Sequence, residues 1–182
     1  MRIIGGEYRG RRLSPPADKT IRPTTDRMRE TIFNILSHQA PALRGAHVLD
    51  VFAGTGALGL EALSRGAAHV SFFDRDRRAL QLVKKNIALL KVEAKTTIKC
   101  VTAPNFPPAT WPCDIIFLDP PYPLDLIPQT IEGLERKNHL AENCLIIAEY
   151  QRNKEITFPK FLEVIQQKTY GDARFSFLRK TA

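Results

Sequence analysis

The sequence has little of what builds disulfide frameworks or metal centres. Its 182 residues hold three cysteines, Cys100, Cys113 and Cys144, an odd number set far apart with no CxxC pair. A cystine-stapled scaffold and a zinc knuckle are excluded, and small buried hydrophobes in a reducing compartment are the expected role. The four histidines, His38, His47, His69 and His139, are scattered, and no Ser–His–Asp set accompanies them. Surface or packing roles are expected for each, with no metal bound. No apolar run nears the length of a membrane span, and the opening Met1-Arg2-Ile3-Ile4-Gly5-Gly6 lacks the pattern of a secretory signal. The expected location is the cytoplasm, away from membranes. Internal repeats and long low-complexity tracts are also missing.

What is present is an ordinary globular mixture, 43% hydrophobic and 25% charged, of a length that suits one domain with a buried core. The charge is unevenly placed. Residues 1–44 carry nine Lys/Arg against four Asp/Glu, residues 45–150 eleven against twelve, and residues 151–182 seven against three. Basic flanks around a near-neutral centre suit a polyanion held from both ends. They equally suit a solvated surface, and charge alone does not choose.

The middle alternates short apolar runs with helical patterns. Strands are predicted at 47–51, 69–73, 96–101, 114–118 and 144–148, with helices at 58–65, 76–90 and 126–136. Near-continuous apolar strands alternating with helices predict an α/β, doubly wound, Rossmann-like sheet that is mostly parallel. The tail, 161–169 and 174–178 around Tyr170-Gly171-Asp172, alternates apolar and polar residues and predicts a terminal antiparallel hairpin. The head reads as a small basic hairpin, Arg2-Ile3-Ile4 and Arg11-Arg12-Leu13, then a helix capped at Thr24-Thr25-Asp26 and ended by Pro41. A single domain is expected, with a basic extension at 1–44 and a catalytic core at 45–182.

Two segments carry chemistry. The first, Asp50-Val51-Phe52-Ala53-Gly54-Thr55-Gly56-Ala57-Leu58-Gly59, follows a strand and opens a helix. Gly54 and Gly56 permit a tight turn and close backbone approach to a ligand, and Gly59 permits close helix–sheet packing. Asp74 ends the next strand, 24 residues after Asp50, where an acid that binds a ribose diol is expected. A dinucleotide site competes for this pattern. Asp50 disfavours a pyrophosphate and suits an ammonium, and the spacing departs from GxGxxG.

The second is Asp119-Pro120-Pro121-Tyr122, directly after an apolar strand, where the crevice of an open α/β sheet lies. The lone pair of a base amino nitrogen is delocalised into its ring. To be methylated, such a nitrogen must have its hydrogens held so that it points at the donor. Asp119 offers a carboxylate acceptor and Pro120 a carbonyl on a stiff loop. Tyr122 offers a ring to stack on an extruded base.

With these segments in place the chain resembles the class I, adenosylmethionine-dependent methyltransferases. The head is similar to that of the bacterial 16S ribosomal RNA guanine-N2 methyltransferases, through Arg2-Ile3-Ile4-Gly5-Gly6, Arg9-Gly10-Arg11-Arg12-Leu13, Arg22-Pro23-Thr24-Thr25-Asp26-Arg27 and Arg29-Glu30-Thr31-Ile32-Phe33-Asn34. The resemblance spans essentially the whole chain. It implies a seven-stranded sheet, S-adenosylmethionine as donor, and small-subunit RNA or an assembly intermediate as partner of a monomer. Asp50, Phe52, Gly54 and Gly56 would line the methionine end. Asp74 would hold the ribose and Arg75 would lie by the adenine, with Thr102 and Ala103 nearby. Asp119, Pro120 and Tyr122 would position the guanine amino group. Arg9, Arg11, Arg12, Arg22, Thr24 and Arg27 would meet RNA. Arg174, Arg179 and Lys180 are further basic candidates, whereas Arg29 has acids near enough to pair with it. Thr102 stands where such enzymes usually carry Asp or Asn, and the loop Pro104–Pro108 is unusually proline-rich. An adenine-N6 methyltransferase, a non-catalytic RNA-binding assembly factor and a nicotinamide oxidoreductase are the competing readings.

Overall fold

The computed structural model describes residues 1–16, 25–121 and 126–181. In chain order the elements are α1 (Asp26–Leu36), β1 (His47–Val51), α2 (Ala57–Ser64), β2 (His69–Asp74), α3 (Arg77–Leu90), β3 (Thr96–Cys100), β4 (Cys113–Leu118), α4 (Ile127–Arg136), β5 (Leu140–Gln151), β6 (Leu162–Tyr170) and β7 (Ala173–Lys180). They build one seven-stranded sheet in the order β3-β2-β1-β4-β5-β7-β6. Strands β1 to β5 run parallel, and β7 is antiparallel to both β5 and β6. The strand order reverses between β1 and β4, which opens a crevice at their carboxyl ends.

Residues alternate faces along each strand, so one sheet divides two cores. Val48, Val70, Phe72, Ile115 and Phe117 pack with residues of α1, α2 and α3. Leu49, Val51, Phe73, Ile116 and Leu118 pack with Ile127, Ile131 and Leu134 of α4. The helix α3 shows why such elements form where they do. Asp76 caps it by accepting from the Arg78 amide at 2.8 Å, and Leu80, Val83, Ile87 and Leu90 fall on its buried face.

Three boundaries differ from expectation. Helix α1 stops at Leu36, well before Pro41, because the Ser37 hydroxyl turns back to the Asn34 carbonyl and the next amides take tighter bonds to Ile35 and Leu36. Strand β5 starts earlier than its apolar run. Asn143 adopts a left-handed φ of 58°, and the register with β4 slips there, so the stretch around the exposed Glu142 and Asn143 bulges within a continuous strand. The head hairpin pairs over a short stretch around Arg2 and Arg12, where Ile3 donates to the Arg11 carbonyl and Leu13 to the Met1 carbonyl. Its middle is drawn instead onto α2: Ile4 and Gly5 donate their amides to the buried Glu61 carboxylate, each at 2.8 Å, and Tyr8 donates to the Ser64 hydroxyl at 2.9 Å. Gly6 has a φ of 79°, and a Cβ there would overlap the Ser64 carbonyl. Ile3 and Leu13 thereby enter the first core.

The cysteines divide as well. Cys113 and Cys144 are buried, but Cys100 is exposed at the end of β3. Burial pushes the Cys113 thiol up to about 12, so it stays protonated and inert. Among the described residues, no helix is long and apolar enough to cross a membrane.

Candidate active site

A cavity of about 590 Å³ opens at the carboxyl ends of the parallel strands, within the range of small-molecule sites. The turn after β1 forms one wall. Phe52, Gly54 and Gly56 all take positive φ, 63°, 55° and 76°. Glycine accepts that region freely, but Phe52 is a non-glycine residue in it, and such strain concentrates where backbone must be presented to a ligand. The Gly56 amide bonds the Ala53 carbonyl at 2.7 Å and closes the turn. Gly56 is also the N-cap of α2.

Two acids fasten this turn. Asp50 is 2% exposed and accepts from the Gly59 amide at 2.9 Å, taking one of the first amides of α2 that has no partner within the helix. Burial pushes its carboxyl up to about 8, the Gly59 bond opposes that rise, and the neighbouring Asp74 adds to it. Asp74 accepts from the Gly54 amide at 3.0 Å through one oxygen and from the Asp76 amide at 2.9 Å through the other. Arg75, exposed, and Thr102 and Ala103 form the far side of the cavity.

The proline-rich loop beyond Thr102 is anchored, not loose. Phe106 is 4% exposed and stacks on Phe73 at 6.3 Å, while His139 meets both rings and lies 2.8 Å from the Pro107 carbonyl. Burial lowers the His139 pKa, which accords with a packing role.

The opposite wall comes from the end of β4. Asp119, half-buried, Pro120, buried, and Pro121 line the same cavity as Asp50 and Asp74. Tyr122 lies outside the described residues, as do Arg22 and Thr24. The wall also holds residues that sequence reasoning did not single out for it, among them Met1, Met28 and Glu149. Met1 and Met28 bring the head to the cavity, and Glu149 enters from the end of β5. Only Glu149 left a trace in the sequence, because it follows an apolar run as Asp119 does.

The basic candidates separate. Arg9, Arg11, Arg12 and Arg27 are exposed, and the Arg27 guanidinium lies 5.7 Å from the centre of the Tyr170 ring. Arg29 is buried and bonds the Arg2 carbonyl and Asp26, at 2.7 and 2.8 Å. Arg179 holds Gln39 and the Ala40 carbonyl, and Lys180 pairs with Glu135 at 2.9 Å.

The sheet order, the glycine turn after β1, the acid after β2 and the acid-led prolines after β4 together define a class I methyltransferase fold. The model of the family described as "Conserved hypothetical protein 95" matches residues 1–179. Ribosomal RNA small subunit methyltransferase D of Escherichia coli K12 is 39% identical over 183 residues, 100% of this chain and 91% of the relative. The protein of the same name from Haemophilus influenzae is 36% identical over 178 residues, 94% of this chain and 89% of the relative. The solved structure of yhhF from Escherichia coli superposes with a TM-score of 0.85 at 38% identity, covering 99% of this chain and 97% of that one. The chain belongs to this family, that of ribosomal RNA small subunit methyltransferase D.

Proposed function

We propose that the protein transfers a methyl group from S-adenosylmethionine to the exocyclic N2 of a guanine in the 16S RNA of the small ribosomal subunit. One observation carries the reading: a single cavity joins the acid-fastened glycine turn to Asp119 and Pro120. The names of the relatives support ribosomal RNA as the substrate.

The residues present fit the donor. Asp50 places a buried carboxyl at one end of the cavity, suited to the ammonium of a methionine moiety. Asp74 keeps acceptor capacity for a ribose diol beyond its two amide bonds, since each carboxylate oxygen has two lone pairs. Phe52 and Gly54 present backbone at the methionine end, Gly56 closes the turn behind them against Phe72 and Val83 instead of lining the cavity, and Arg75, Thr102 and Ala103 flank the adenine. Bound there, adenosylmethionine supplies an electrophilic methyl group on a sulfonium centre.

The chain's own part is positioning. Asp119 accepts one hydrogen of the guanine amino group and the Pro120 carbonyl accepts the other, which turns the nitrogen lone pair toward the methyl. Tyr122 stacks on the base. The nitrogen gains positive charge as its bond to carbon forms, and Asp119 stabilises that charge. A strong general base is unnecessary, because the resulting ammonium is very acidic. Arg9, Arg11, Arg12, Arg22, Thr24 and Arg27 contact the RNA, the arginines as forks on phosphate.

Calorimetric titration with adenosylmethionine and with NAD tests the donor side. Saturable binding of the first and none of the second is expected, and the reverse would return the glycine turn to the oxidoreductases.

A further inference from the structure

Glu149 is an acid of the cavity to which the proposed reaction gives no task. It ends the apolar part of β5 as Asp119 ends β4, and the two strands pair in parallel register up to Leu118 and Ala148. Asp119 and Glu149 are thus the next residues on neighbouring strands, which run about 4.8 Å apart with matching residues on one face. Glu149 is only 6% exposed, yet it lines the cavity alongside Asp119 and Pro120.

The Watson–Crick edge of guanine carries two neighbouring donors, the N1–H and the 2-amino group. Adenine has a bare acceptor at N1. A carboxylate accepts and never donates when ionised. Two acids side by side therefore match the guanine edge and repel the adenine edge. We propose that Glu149 is a specificity-determining residue that accepts the guanine N1–H while Asp119 holds the 2-amino group. This rests on the guanine-N2 reading and deepens it: Asp119 serves transfer, and Glu149 selects the base.

The test uses small subunits reconstituted with RNA bearing either guanine or 2,6-diaminopurine at the target position. Diaminopurine keeps the 2-amino group but exposes an acceptor at N1. The wild-type protein is expected to transfer to guanine faster by on the order of 10²-fold or more, the discrimination typical of a site built around a buried hydrogen bond. In Glu149→Gln, whose amide can accept from the guanine N1–H or donate to a bare N1, transfer to guanine is expected to fall by no more than about 10-fold and the preference to collapse toward parity. Adenosylmethionine affinity should stay within a few-fold.

Equal wild-type rates on the two subunits would overturn the assignment, and so would a Glu149→Gln protein that keeps the wild-type preference. The wild-type ratio needs no variant, so it decides even where Glu149→Gln fails to fold. If the wild-type protein makes N2-methylguanosine without discriminating against diaminopurine, only the role of Glu149 falls. If label reaches a different nucleoside, the guanine reading falls with it.

Discussion

Five acids among the described residues line one cavity, and Asp50 and Asp74 on the β1–β2 side are set differently from Asp119 and Glu149 on the β4–β5 side. Asp50 and Asp74 belong to the architecture as much as to any ligand, since both accept amides of the glycine turn or its flanks. Asp119 and Glu149 stand at the ends of neighbouring strands, the first followed by two prolines that carry no N–H to compete for it. On the proposed reading, the β1–β2 side holds the donor, a nucleoside with a charged tail, and the β4–β5 side tells one base from another. Identical side-chain chemistry serves both, and neighbouring backbone decides which.

The largest effect is expected on the β4 side. Asp119→Ala should lower methyl transfer by roughly 10³-fold or more, as loss of a transition-state contact does, while adenosylmethionine affinity stays within a few-fold. Single-turnover assays beside calorimetry would show this, and a large affinity loss would move Asp119 into the donor site. Asp50→Asn should do the opposite. The amide oxygen still accepts from Gly59, but the charge that meets an ammonium is gone. Donor affinity should fall by about 10- to 100-fold, with transfer at saturating donor largely kept.

The raised Asp50 carboxyl adds a pH test with a definite sign. A cationic ligand favours the ionised form, so binding below about 8 must release a proton from Asp50. Donor affinity should therefore climb as pH rises toward about 8 and then level off, and Asp50→Asn should flatten the climb. The unliganded protein should show the linked trend. Its folded carboxyl titrates above the ordinary 3.8, so the stability it contributes is full below that value and is lost as pH rises through about 8. Denaturant melts across this range should show stability falling more steeply with pH in the wild-type protein than in Asp50→Asn.

A smaller effect separates the two basic flanks. Replacing Arg9, Arg11 or Arg12 by Ala should weaken RNA binding and reduce its salt slope by about one per lost phosphate contact. Replacing Lys180, which pairs with Glu135, should leave that slope unchanged. Equal slopes for both sets would mean that the head arginines do not touch phosphate.

The sheet and half of the cavity were legible because their signals are local. A strand, a glycine turn and a helix follow each other within Asp50–Gly59, and Asp119–Pro121 announces itself by adjacent prolines. Glu149 left only a faint trace, because a lone acid after an apolar strand is not singled out until β4 and β5 are neighbours. The head was harder still. Glu61 reads as an ordinary polar residue on α2, and only the fold shows it buried beneath the Ile4 and Gly5 amides, more than fifty positions away in the chain. The same holds for Arg179, which charge counting offers to RNA and the structure assigns to the turn at Gln39–Ala40. Charge shows how many cations a flank has, and three-dimensional pairing shows which of them face outward.

The most direct measurement is transfer of labelled methyl from adenosylmethionine to small ribosomal subunits that lack modifications, followed by digestion and nucleoside identification. Label in N2-methylguanosine at a single site is the expected result. Label in N6-methyladenosine, or tight binding of donor and RNA with no label at all, would contradict it.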